Sequence, residues 1–169
     1  MAHVSEKRIL VVDDEPDVRD FLSTCLEDAG FQVSTAFDGQ DALEKIEKNA
    51  PDLITLDMIM PRMSGIALMR KLRDKDEWKS IPVVIITAHA NDEMGEKDVE
   101  ELYKNEIKPG PEHIIEKPIT PIKLVTGVAD ILGVSIDLGL GEERVGVVDS
   151  IKNASPEKLK EIQAILDKQ

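Results

Sequence analysis

The sequence has a single cysteine, Cys25, which rules out an intrachain disulfide and any cysteine-based zinc site. Aromatic residues are scarce, with one Trp, one Tyr and three Phe in 169 residues, so Val, Ile, Leu and Met must build the core. Positive charge is in deficit. Against 34 Asp and Glu there are only 21 Lys and Arg, a formal charge of -13 that repels phosphate backbones and anionic headgroups. Nucleic acid and membrane surfaces are therefore not expected as partners. No apolar run approaches the roughly 18 residues a membrane span requires, and Met-Ala-His-Val-Ser-Glu-Lys lacks the apolar core of a signal peptide. The chain is expected to be cytoplasmic. Its length suits one domain plus an extension and is too short for two independent cores.

From Arg8 onward, short β-branched runs alternate with amphipathic stretches. Strands are expected at Ile9 to Val12, Gln32 to Ala36, Leu53 to Leu56, Val83 to Thr87 and His113 to Glu116. Helices are expected at Pro16 to Ala29, Asp41 to Lys48, Ile66 to Lys75, Gly95 to Tyr103 and Pro121 to Leu132. Ser64 and the Thr120-Pro121 pair are helix starts, and Gly30 and Gly133 are stops. Cys25, beside Phe21, Leu22, Leu26 and Ala29, is expected as a packed apolar residue. Five βα units whose strands read as apolar runs predict a doubly wound α/β fold, a parallel sheet buried on both faces by helices.

The chain changes character at Val134. Ser135 to Gly146 is Gly-rich and reads as a linker, and a helix starting near Ser155-Pro156-Glu157 carries a narrow stripe of Leu159, Ile162, Ile165 and Leu166. So short a helix is marginal alone and must pack on its own domain, a second copy in a homodimer, or another protein. The expected division is an N-terminal extension 1–7, a domain 8–133, and a linker and helical extension 134–169.

In doubly wound sheets the site forms outside the carboxyl ends of the strands. Asp13 and Asp14 end the first expected strand, Asp57 follows the third, Thr87 ends the fourth and Lys117 follows the fifth. Three acids in one crevice repel by roughly 4 kcal/mol per pair at 4 Å and an effective dielectric of 20, so they call for a cation. An all-oxygen set at an open rim suits Mg2+. Lys117 adds a point charge and Thr87 a hydroxyl donor, completing what phosphoryl transfer onto an aspartate requires. Each residue also has a plainer reading. Asp13-Asp14-Glu15-Pro16 can serve as an acidic helix start, Thr87 as a strand-end cap, and Lys117 as a solvated strand end. Their shared position at the carboxyl ends of strands one, three, four and five favours the site.

These motifs resemble the receiver domain of two-component response regulators, over residues 8 to about 132. Asp13-Asp14 is similar to its acidic pair, Leu56 through Gly65 to its phosphoacceptor loop, Thr87-Ala88 to its switch hydroxyl with a small neighbour, and Lys117-Pro118 to its lysine and cis-proline. The resemblance implies a flavodoxin-like sheet of order 2-1-3-4-5. It implies that Asp57 takes a phosphoryl group from a sensor histidine kinase or phosphotransfer protein. It further implies Mg2+ held by Asp14, Asp57 and the backbone carbonyl of Ile59, with Asp13 acting largely through water. Ala88 leaves room for the phosphoryl group, and Pro61 followed by Gly65 sets a rigid and then a permissive φ for a tight turn.

Two features set this chain apart. The stretch between Thr87 and Lys117 is longer than usual in the family, and Ile114 stands where the family has an aromatic switch residue. His113 before it reads as a substitute switch or pH sensor, or as a solvent-facing strand-edge histidine. His89 and Ile59 flank the pocket, as gates for hydrolytic water or as variable rim residues. Without the aromatic, Asn91 to Pro111 is expected to carry the conformational signal. No output domain is expected after the receiver, so a stand-alone signalling module, not an enzyme, is expected. The alternatives are a magnesium-dependent phosphatase with an aspartyl nucleophile, in which Ile59 occupies the place of a second acid, and a degenerate receiver that keeps only the fold.

Overall fold

The computed structural model describes residues 3–58, 60–87 and 113–137. The chain divides after Ile136 into two units, Met1–Ile136 and Asp137–Gln169, and every element below belongs to the first. Its strands are β1 (Arg8–Val12), β2 (Gln32–Ala36), β3 (Leu53–Asp57), β4 (Val83–Thr87) and β5 (His113–Glu116), all parallel in the order 2-1-3-4-5. The helices are α1 (Pro16–Asp28), α2 (Gly39–Lys48), α3 (Gly65–Asp74) and α4 (Pro121–Leu132). The doubly wound α/β architecture and strand order expected from the sequence are those of the molecule. The expected helices at Gly95 to Tyr103 and beyond Pro156 lie outside the described residues. So do Ile59, Ala88, His89 and the Asn91 to Pro111 segment.

Alternation along the central strands divides the core in two. Leu10, Val12, Ile54, Leu56, Val83 and Ile85 pack with Ala42 and Ile46 of α2 and Leu68, Met69 and Leu72 of α3, with Trp78 and Ile81 closing one end. The intervening residues Ile9, Val11, Leu53, Val84 and Ile86 are equally buried and point to the opposite face, where α1 contributes Leu22 and Leu26 and α4 contributes Leu124, Val125 and Val128. Burial on both faces holds for β1, β3 and β4 but not for the outer strands. Gln32 and Ser34 of β2 and His113 and Ile114 of β5 are exposed, because an edge strand has a neighbour on one side only. In α1, Cys25 is half-buried, burial pushes its thiol pKa up, and Phe21 is exposed.

Local chemistry sets the helix ends. Ser64 and Thr120 cap α3 and α4 through bonds from Ala67 N and Lys123 N, both 3.3 Å. Helix α2 begins at Gly39, two residues before the expected Asp41, because Asp38 accepts from Asp41 N at 2.8 Å and caps it earlier. Gly133, left-handed at φ 62, ends α4, and Val134 N donates back to Ala129 O at 3.1 Å.

Candidate functional site

Strand register brings the site together. Val12 pairs with both Ala36 and Leu56, so Asp13 and Asp57 leave adjacent strands side by side, and Asp13 N donates to Ala36 O at 3.2 Å. Carboxylate oxygens of Asp13, Asp14 and Asp57 all lie within 4.8 Å of one another. Asp13 is 1% exposed and Asp57 7%, while Asp14 is half-buried. Thr87 ends β4 opposite Glu116, which puts its backbone at the same rim as Lys117.

Asp13 is fixed on several sides. Its Oδ1 accepts from Glu15 N at 2.9 Å, its carbonyl accepts from Arg19 Nη1 at 2.8 Å, and its Oδ2 lies 3.5 Å from Lys117 Nζ. Burial raises its pKa above the ordinary carboxylate value, outweighing the lowering by the Glu15 hydrogen bond and by Lys117. At the start of α1 the N-cap is Glu15, without a side-chain cap bond, Pro16 opens the helix and Asp17 is the acid of its first turn. Asp13 turns inward to its neighbours in the crevice.

Lys117 is not a solvated strand end. Its side chain is 18% exposed, and its Nζ lies 3.5 Å from Asp13 and 3.8 Å from Glu15. The peptide joining it to Pro118 is cis, as the resemblance implied. His113 and Ile114 are both exposed on β5, the latter opposite Ile85.

The loop after Asp57 corrects one expectation. Pro61 and Gly65 were to supply a rigid and then a permissive φ, but the left-handed residue is Arg62, at φ 65. Gly65 matters for the side chain it lacks. A Cβ there would lie 2.5 Å from Asp57 O and 3.0 Å from Met58 Cα, and Gly65 N donates to Met58 O at 3.1 Å. Sequence reasoning passed over Arg62 and Asp38. The Arg62 guanidinium pairs with Asp38, whose side chain is 2% exposed, and lies 5.3 Å from the centre of the Phe37 ring. An Asp-Gly pair just ahead of an amphipathic helix was the one available sign that Asp38 is a cap.

The clustered donors are all carboxylate oxygens, without histidine or cysteine, which fits a hard divalent cation. Among the described residues, no helix is long and apolar enough to cross a membrane.

Comparison with known proteins agrees with this geometry. The family model for the response regulator receiver domain matches residues 9–129. The chain is 37% identical over 131 residues to the sensor histidine kinase TmoS of Ectopseudomonas mendocina, covering 78% of this chain and 12% of the kinase. It is 36% identical over 126 residues to the alkaline phosphatase synthesis transcriptional regulatory protein PhoP of Bacillus subtilis, covering 75% of this chain and 48% of that one. The chain thus spans about half, or much less, of these longer relatives. Among solved structures, the chemotaxis response regulator CheY4 of Vibrio cholerae superposes with a TM-score of 0.64 at 30% identity, covering 74% of this chain and 98% of CheY4.

Proposed function

The chain belongs to the family of response regulator receiver domains, phosphoacceptor signalling modules, and from that premise we propose that Asp57 is the phosphoacceptor, with a sensor histidine kinase or phosphotransfer protein as donor. The observation that carries this reading is the meeting of Asp13, Asp14 and Asp57 within 4.8 Å, with Lys117 at 3.5 Å from Asp13. In this reading residues 8–133 form the receiver, preceded by an N-terminal extension and followed by a linker and helical extension that serves docking.

A carboxylate oxygen of Asp57 attacks the phosphorus of a phosphohistidine. The new O–P bond forms as the P–N bond breaks, and the electron pair leaves with the imidazole nitrogen, which takes up a proton. Asp13, Asp14, Asp57 and the Ile59 carbonyl would hold Mg2+, which supplies charge neutralisation between the carboxylates and the phosphoryl oxygens. Lys117 supplies a fixed positive charge at the rim, and Thr87 a hydroxyl for the phosphoryl group. Asp13, buried and crowded by Asp14 and Asp57, is costly to keep charged without a cation nearby.

The test is incubation of the full chain with a small phosphodonor and magnesium. One acid-labile phosphate per chain, without sustained turnover of phosphate esters, is expected. Multiple turnover of generic phosphate esters would point instead to a phosphatase.

A further inference from the structure

We propose that Arg62 is a positioning residue for the metal-binding end of the site, clamping the loop after Asp57 onto the turn between β2 and α2. This rests on the reading of Asp13, Asp14 and Asp57 as the magnesium site. Arg62 holds a left-handed φ of 65, a conformation unfavourable for a side-chain-bearing residue that persists where its surroundings enforce it. Its side chain, 67% exposed, is tied down at its charged tip. The guanidinium pairs with Asp38, a carboxylate with 2% side-chain exposure that needs a countercharge, and it packs by the Phe37 ring. The next residue, Met63, presses on Gly39, where a Cβ would lie 2.7 Å from Met63 Cγ.

The clamp reaches the metal ligands from both sides. Toward the chain start, Asp38 sits two residues from Ala36, whose carbonyl accepts from Asp13 N at 3.2 Å. The other oxygen of Asp38 accepts from Asp41 N at 2.8 Å, which fixes the turn to α2. On the other side, Arg62 stands five residues after Asp57, in a loop closed by the Gly65 N bond to Met58 O at 3.1 Å. The loops bearing Asp13 and Asp57 are thus held in one arrangement by a contact that touches no ligand. Groups bonded directly to a ligand are worth about 10–100-fold in metal affinity, and this contact, one step further out, is expected at the low end, about tenfold.

The test uses the full chain and three variants. Arg62→Gly removes the guanidinium but accepts the left-handed φ without strain, separating the ion pair from the backbone. Arg62→Lys keeps the charge without the planar fork. Asp38→Asn keeps an acceptor for Asp41 N and removes the charge that Arg62 grips. Calorimetric titration with magnesium, well below the melting temperature, is expected to show Kd raised about tenfold in Arg62→Gly, partly restored in Arg62→Lys, and raised no further when Arg62→Gly and Asp38→Asn are combined. The labelling rate at saturating magnesium is expected to stay within about twofold of wild type, so the loss sits in metal affinity and not in the transfer step. Equal Kd in wild type and Arg62→Gly, whatever the melting temperatures, would overturn the proposal and leave Arg62 a structural contact. Additive losses in the double variant would overturn it as well. A wild-type chain that binds no magnesium would instead overturn the underlying reading of the site, a result no variant-specific change could imitate.

Discussion

Lys117 and Asp13 stand 104 positions apart in the chain, yet the lysine nitrogen lies 3.5 Å from a carboxylate oxygen of an aspartate that is 1% exposed. They meet at the rim where β3 and β4 also end. Only a sheet with every strand running the same way brings the ends of β1, β3, β4 and β5 all to one side. The contact partly offsets the desolvation of Asp13 without abolishing it.

Since burial raises the pKa of Asp13, the folded chain holds that proton more tightly than the unfolded chain does. Stability of the metal-free protein therefore falls as pH rises from the unfolded value through the raised folded one, and stays lower at neutral pH. Asp13→Asn keeps an acceptor for Glu15 N and removes the charge. It is expected to be more stable than wild type at pH 7 in chelator, with the difference closing below about pH 4. Denaturant unfolding across that range checks it, and an Asn variant less stable at pH 7 would mean that Lys117 outweighs burial.

Asp14→Ala is expected to weaken magnesium binding strongly, while Asp130→Ala on the exposed part of α4 is not. Removing one of three carboxylates at about 4 Å takes away on the order of 1–4 kcal/mol of attraction, about fivefold to several hundredfold in Kd. Titration calorimetry of the two variants side by side is the measurement, and equal affinities would exclude Asp14 as a ligand.

Gly65→Ala would drive a methyl group to 2.5 Å from the carbonyl oxygen of Asp57, so the backbone carrying the acceptor must shift. A loss of about 1–3 kcal/mol in unfolding free energy is expected, together with slower labelling. A fully stable and fully labelled Ala variant would show that the loop yields without consequence.

Thr55 lies between Val11 and Val84 in the sheet, 1% exposed, and its hydroxyl has no hydrogen-bond partner. Thr55→Val replaces that hydroxyl with a methyl of similar shape and is expected to stabilise the protein by about 1 kcal/mol while leaving labelling unchanged. Chemical denaturation measures the gain.

The strand-end acids were legible in the sequence because each follows an apolar β-branched run, and in a parallel sheet the end of such a run is already an address at the rim. Lys117 and the cis bond to Pro118 were legible through the family pattern around them. The Arg62–Asp38 pair was not, since it joins two loops whose approach depends on how α2 and α3 pack on the sheet. The role of Gly65 was misplaced for a related reason. Sequence suggests that a glycine supplies an unusual φ, whereas the crowding of Asp57 O against its missing side chain exists only once the loop is folded. The exposure of β2 and β5 depended on strand order, which periodicity alone does not carry.

The most direct test of the account is the stoichiometry of acid-labile phosphate on the wild-type chain and on Asp57→Asn, each incubated with magnesium and a small phosphodonor. The account predicts one phosphate per wild-type chain and none on the variant. Full labelling of Asp57→Asn, with its fold intact, would contradict it.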